Sequence, residues 1–155
     1  MIVSAGGQIV ITGRGDPKLE SAIVEMSQRY SGSVGAHIGF DDVEARKMFA
    51  ASDFLLMPSR FEPCGLSQMY AQRCGTLPIA RRTGGLADTI EDECSGFLFS
   101  TPSANGLTSA LQRALGAFRS KRLFHAMRKR AMAKCFDWAH PAQKYADIYA
   151  QSIAQ

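Results

Sequence analysis

The stretch Phe54-Leu55-Leu56-Met57-Pro58-Ser59-Arg60-Phe61-Glu62-Pro63-Cys64-Gly65-Leu66 decides how the rest of this chain is read. Its four leading apolar residues, Phe54 to Met57, predict a short buried strand, and the pattern from Leu66 to Cys74 predicts a helix that Gly75 is placed to end. Between them, Pro58 to Gly65 is a strand-to-helix turn carrying one carboxylate, Glu62. In open α/β sheets ligands gather outside the carboxyl ends of strands, where helix starts offer unpaired N–H groups to anionic or hydroxylated ligands.

Outward from this turn, strands and helices alternate. Upstream, the β-branched run Gln8 to Thr12 predicts a strand that ends in the turn Gly13-Arg14-Gly15-Asp16. Asp16 and Pro17 suit an N-cap and first helical position, and Leu19, Ile23, Met26 and Tyr30 recur at helical spacing. Val34 to Phe40 reads as the next strand, and Asp41 or Asp42 can cap a helix ending near Ser52. Downstream, Thr76 to Ala80 predicts a strand in which Pro78 is expected at a sheet edge or strand end. Leu86 to Ile90 is a turn or short helix and Ser95 to Phe99 a strand. Helices follow through Leu107 to Phe118, Leu123 to Met132 and Pro141 to Ile153. The alternation predicts an α/β fold with a mostly parallel sheet and helices on both faces. A length of 155 residues suits one domain, 1–155.

Composition narrows the function classes. Apolar residues make up 46% and charged residues 21%, ordinary globular values that argue against disorder. The formal charge of +4 permits an acidic partner, but several cations fall on one late helix and no nucleic-acid recognition motif accompanies them. Cys64, Cys74, Cys94 and Cys135 lack C-x-x-C spacing and clustered histidines, so no metal site and no disulfide framework is expected. No run approaches the ~18 apolar residues of a membrane span, and the first residues lack a signal-peptide pattern. A soluble, unexported protein with neither nucleic acid nor membrane as partner is expected.

In the predicted scheme Gly13 to Asp16, Gly39 to Asp41, Arg60 to Gly65 and Thr83-Gly84-Gly85 all lie at the carboxyl edge of the sheet. Glycines there allow a ligand close to the backbone. Gly13-x-Gly15 lacks the third glycine of a dinucleotide fingerprint, and no P-loop pattern exists. Ser67 has no histidine nearby in sequence and Cys64 no adjacent base, so neither reads as a nucleophile. On chemistry alone Glu62 is an acid/base, a hydroxyl acceptor or a helix-entry charge favoured by the dipole.

Ser59 to Leu66 (S-R-F-E-P-C-G-L), Gly75 to Pro78 (G-T-L-P) and Arg81 to Thr89 (R-R-T-G-G-L-A-D-T) resemble the bacterial glycogen synthase and plant starch synthase family. The likeness extends to Gly13-Arg14-Gly15-Asp16-Pro17 and Phe136-Asp137-Trp138. It implies a retaining glucosyltransferase that moves glucose from ADP-glucose to the non-reducing-end 4-hydroxyl of an α-1,4-glucan. It also implies two Rossmann-like domains, no metal cofactor, and a cytoplasmic location, or a plastid one in a plant. By resemblance Glu62 accepts hydrogen bonds from donor glucose. Backbone N–H groups of Cys64, Gly65 and Leu66, with the Ser67 hydroxyl, hold sugar and phosphate. Thr83, Gly84 and Gly85 approach the sugar and diphosphate, Gly15 belongs to the nucleotide loop, and Phe40 stacks on adenine. Arg60, Arg81 and Arg82 stand beside these loops as phosphate clamps or as solvent or interdomain pairs. Many related transferases carry a second glutamate where this chain has Tyr70, which weakens a double-displacement route.

The chain resembles only the later part of the family's second domain. The expected partners are therefore ADP-glucose or ADP, the glucan, and a missing N-terminal domain, with no transfer by this chain alone. A standalone nucleotide- or glucan-binding module is the alternative. Without the domain's first strand, the Gln8 and Phe54 strands are expected to pair directly, or a second copy to supply strands as a homodimer.

Overall fold

A computed structural model describes residues 1–153. The chain is α/β, and its contacts divide it into two compact units, Met1–Ala51 and Ser52–Gln155. After a short turn at Val3–Ala5, the first unit contains β1 (Ile9–Gly13), α1 (Pro17–Arg29), β2 (Val34–Ile38) and α2 (Asp42–Ala51). β1 and β2 pair in parallel from Ile9 opposite Val34 to Gly13 opposite Ile38. Asp16 caps α1 by accepting from the Lys18 amide at 2.8 Å, with Pro17 at the first helical position, and Asp41 caps α2 by accepting from the Glu44 amide at 2.8 Å. Little apolar surface is covered in this unit: Val34 is buried, but Val10, Leu19 and Val43 are exposed. A two-stranded sheet of this kind is marginal by itself.

The second unit contains β3 (Phe54–Met57), α3 (Ser67–Cys74), β4 (Leu77–Arg81), α4 (Gly84–Thr89), β5 (Phe97–Phe99), α5 (Ala104–Arg119), α6 (Lys121–Ala133) and α7 (Ala139–Ile153). Its parallel sheet has the order β3-β4-β5. Gly75, at φ 82°, ends α3, and β4 begins at once with the Leu77 amide donating to the Asp53 carbonyl at 3.0 Å. Four consecutive β4 residues, Leu77 to Ala80, are buried, as expected of a strand covered on both faces. On one face Phe97 meets Phe54, whose ring also contacts Phe118 of α5 and Phe124 of α6 at centroid distances of 6.0 and 5.4 Å. On the other, Leu98 packs with Ala80, Leu86, Ile90 and Met57. Adjacent strand residues point to opposite faces, so Phe97 and Leu98 serve the two halves of the core.

Three expectations are resolved by the structure. Of the two places expected for Pro78, a sheet edge or a strand end, it is not at the edge but is the second residue of the central strand β4. Its missing N–H does no harm because the Leu77 amide already serves the β3 side, and β5 pairs only from Phe97, opposite Ile79. β1 and β3 do not pair: among the described residues each joins the strand reached by its own helical crossover, giving two separate ladders. Trp138, which its sequence context marks as a core or interdomain packing residue, is not in the core of this chain: it is 77% exposed just before α7, a helix whose Tyr145, Ile148, Tyr149 and Ile153 are exposed as well.

Ionic ties fasten the β5 region. Asp92 accepts from the Leu98 amide at 2.8 Å and from Arg113 at 3.1 Å, while Arg113 also reaches Glu93 at 2.8 Å and the Leu98 carbonyl at 2.6 Å. Burial opposes the Arg113 charge, but its bonds to Glu93 and Asp92 outweigh that and raise its pKa. Lys134 meets Glu91 at 2.7 Å, and this bond, with a lesser one from Cys94, holds the Glu91 carboxyl below its ordinary value. Among the described residues no helix is long and apolar enough to cross a membrane.

Phe97→Ala is expected to destabilise the second unit by about 3–5 kcal/mol, read as a lowered urea midpoint. The Glu91–Lys134 tie carries a pH signature. A carboxyl with a lowered folded pKa contributes stability above its unfolded pKa and loses it as pH falls through the folded one. The Lys134 side chain is largely covered but Glu91 is exposed, so solvent screens the pair and Lys134→Met should flatten the acid limb of the stability curve only slightly.

Candidate functional site

The turn between β3 and α3 is shaped from beneath by a buried glutamine. Gln68, fully buried in the first turn of α3, donates from Nε2 to the carbonyls of Cys64 at 2.9 Å and Gly65 at 2.8 Å and to Thr89 Oγ1 at 3.3 Å. Gly65 has φ 72°, which favours glycine, and a Cβ there would also push on the Gln68 side-chain amide. With the carbonyls turned to Gln68, the amides of Cys64, Gly65, Leu66 and Ser67 donate to no protein acceptor among the described residues. No side chain caps α3 either. Unpaired N–H groups and the helix dipole make this a place for anionic or hydroxyl oxygens.

Glu62 is half-buried in the same turn, and its carboxylate accepts a long hydrogen bond of 3.5 Å from Ser59 Oγ. Its backbone is held from the neighbouring turn between β4 and α4, where the Gly85 amide donates to the Glu62 carbonyl at 3.0 Å. A Cβ on Gly84, which has φ 42°, would coincide with the Glu62 carbonyl, and one on Gly85 with the Cys64 carbonyl. The two turns therefore touch backbone to backbone. Thr89 Oγ1 closes the arrangement by donating to the Gly85 carbonyl at 2.5 Å.

The structure brings Glu62, Cys64, Gly65, Leu66 and Ser67 together with Thr83, Gly84 and Gly85. Within that group the Gly85 amide is already engaged, so the glycine pair acts as scaffold for the glutamate turn. Of the neighbouring arginines, Arg81 is engaged and Arg82 makes only a long contact. Arg81 Nη1 donates to the Arg60 carbonyl, and Arg82 faces Asp92 at 3.5 Å.

Gly15 and Phe40 belong to the first unit. The Gly15 amide donates to Glu20 Oε1 at 2.8 Å, so it is not a bare N–H, whereas the Phe40 ring is 89% exposed in the turn after β2. His37 pairs with Glu44 beside that turn. Asp41, in the same turn, has its pKa lowered chiefly by the Glu44 amide. Among the described residues no group of three or more His, Cys, Asp or Glu is placed to hold a metal ion.

Sequence reading missed Gln68, Gln72, Thr89 and Arg81 as supports of the turn. Gln72 repeats the Gln68 pattern one turn later, donating to the Gln68 carbonyl at 3.2 Å and the Thr89 carbonyl at 3.3 Å. Two glutamines four apart on the face of a helix expected to be buried were the available signal.

Gly85→Ala is expected to displace the glutamate turn and destabilise the unit by about 1–3 kcal/mol or more. Gly116→Ala, exposed within α5 with open space around it, is the control and should stabilise by about 0.5–1 kcal/mol. Chemical denaturation of both variants checks the pair.

Comparison with known proteins bears on the family and the fold. Residues 8–131 match the family model described as glycosyl transferases group 1. A glycogen synthase of Pseudomonas syringae pv. syringae is 58% identical over 148 residues, covering 96% of this chain and 30% of its own length. One from Xanthomonas campestris pv. campestris is 54% identical over 153 residues, covering 99% and 32%. The catalytic domain of starch synthase IV from Arabidopsis thaliana, bound to ADP and acarbose, superposes with TM-score 0.85 at 30% identity, covering 99% of this chain and 34% of its own. The chain thus spans about a third of the length of these relatives. Matched over most of its residues, it belongs to the group 1 glycosyl transferases.

Proposed function

We propose that this chain forms the donor-sugar side of a glucosyltransferase of the glycogen synthase type, moving glucose from ADP-glucose to the 4-hydroxyl at the non-reducing end of an α-1,4-glucan. The observation that carries the reading is the half-buried Glu62 carboxylate, on a fastened backbone, beside a helix start whose amides have no protein acceptor among the described residues. Glucose hydroxyls are donors that suit Glu62, and phosphate and sugar oxygens are acceptors that suit the amides of Cys64, Gly65 and Leu66 and the Ser67 hydroxyl. Thr83 and Gly84 border the same space, with Gly85 holding the turn. In the first unit, Phe40 offers an exposed ring to adenine, and Gly15 shapes the turn after β1.

The chemistry asks little of side chains as nucleophiles. The bond from the anomeric carbon to the diphosphate oxygen breaks as the acceptor oxygen bonds on the same face. The acceptor proton passes to the departing phosphate, leaving ADP and a glucan longer by one unit. Fixed donors around the developing phosphate charge supply the stabilisation.

Arg81 is tied to the Arg60 carbonyl and Arg82 makes only a long contact of 3.5 Å with Asp92, so cations from elsewhere in a longer protein would strengthen the hold on the diphosphate; the alternative is that this chain binds without turnover. The unpaired edge of β3 is a further place where that protein, or a second copy, can add a strand.

Titration calorimetry with ADP, ADP-glucose and UDP-glucose tests the reading on this chain. Glu62→Ala should weaken ADP-glucose by about tenfold or more and ADP far less, because a hydrogen bond to a charged group is worth ~1.5–3 kcal/mol. Phe40→Ala should weaken ADP and ADP-glucose alike. Equal losses for every ligand in Glu62→Ala would overturn the assignment of Glu62. In the natural full-length gene product, Glu62→Ala should lower kcat for transfer to glycogen by about 100-fold or more.

A further inference from the structure

Phe61 is 71% exposed, yet the backbone on either side of it is fastened. The carbonyl before it, on Arg60, accepts from the Arg81 guanidinium; the carbonyl after it, on Glu62, accepts from the Gly85 amide at 3.0 Å. Pro63 follows at once and fixes its own φ. A large apolar ring kept in water forgoes the gain from burial. Here it is presented from a turn with two backbone anchors, which lowers the entropy lost when a ligand closes on it.

We propose that Phe61 is an acceptor-binding residue, its ring the platform on which a pyranose unit of the glucan stacks next to Glu62. The inference rests on the donor-sugar reading of Glu62. Chain adjacency puts Phe61 one residue from the carboxylate assigned to donor glucose, in the same backbone-anchored turn. A pyranose unit presents a face of C–H groups between rims of hydroxyls, and the electron-rich face of a phenyl ring complements those C–H groups. Leu66, just before α3, and Tyr70, one turn later on it, are 57% and 54% exposed and add apolar surface where the turn leads into the helix. This surface suits a neutral chain of sugars, for which no charge is needed.

The test is initial-rate kinetics of the natural full-length gene product with ADP-glucose and maltohexaose each varied, for wild type, Phe61→Ala, Phe61→Leu and Phe61→Trp. The acceptor KM should rise about fivefold to tenfold in the alanine and leucine variants, with kcat and the KM for ADP-glucose within about twofold of wild type. Phe61→Trp should keep the acceptor KM within about threefold. Leucine preserves apolar bulk without a π face, so full retention in Phe61→Leu would overturn stacking in favour of simple packing against protein. A fall in kcat, or parallel rises in both KM values, would also overturn it, pointing to a role in ordering the turn. An unchanged acceptor KM in active Phe61→Ala sinks this inference alone. A wild type that transfers no glucose from ADP-glucose sinks the parent reading instead.

Discussion

Two strand-to-helix turns meet backbone to backbone in the second unit, and the site depends on that contact. The carbonyls of Glu62 and Cys64 occupy the space where side chains on Gly84 and Gly85 would begin, and the Gly85 amide is bonded to one of them. Neither turn has another way to approach so closely, since any Cβ would force them apart. The consequence is a glutamate whose main chain is held by the adjacent β4 crossover rather than by its own loop. A carboxylate meant to recognise hydroxyl geometry gains from that rigidity, because less freedom remains to be lost on binding.

Beneath the contact, polar groups do work that an apolar core cannot. Gln68 and Gln72 are fully buried, and their amides bind the carbonyls of Cys64, Gly65, Gln68 and Thr89. By taking the carbonyls, Gln68 leaves the amides of the same turn to face other partners. A leucine in its place would fill the volume but leave buried acceptors unpaired, a cost of about 1–3 kcal/mol per group. Farther out, Arg113 and Asp92 tie β5 to α5, and the Phe54, Phe97, Phe118 and Phe124 rings hold that face of the sheet. The glutamate turn thus stands on a core with both faces covered, whereas the first unit covers little of its own apolar surface.

Much of this was readable from residue order. Strand boundaries at Phe54 to Met57, the Asp16 and Asp41 caps and the Gly75 stop follow from local chemistry: β-branched or apolar runs, cap side chains, and a glycine where φ must be positive. The motifs around Glu62 and Thr83-Gly84-Gly85 marked the candidate site for the same reason, as turns carry their own signatures. Local chemistry could not show that Gly85 already uses its amide or that Arg81 straps Arg60. Nor could it show Pro78 in a central strand. Those depend on which segments lie side by side, and pairing is decided between residues far apart in the chain.

Residue order therefore settled the elements, their alternation and the family, because each is written in spacing and composition over a few residues. Tertiary structure alone decided which amides stay unpaired, which arginines are committed, and why two glycines stand where they do. These are outcomes of competition for hydrogen-bond partners and for space across different segments, and no single stretch of sequence contains both competitors.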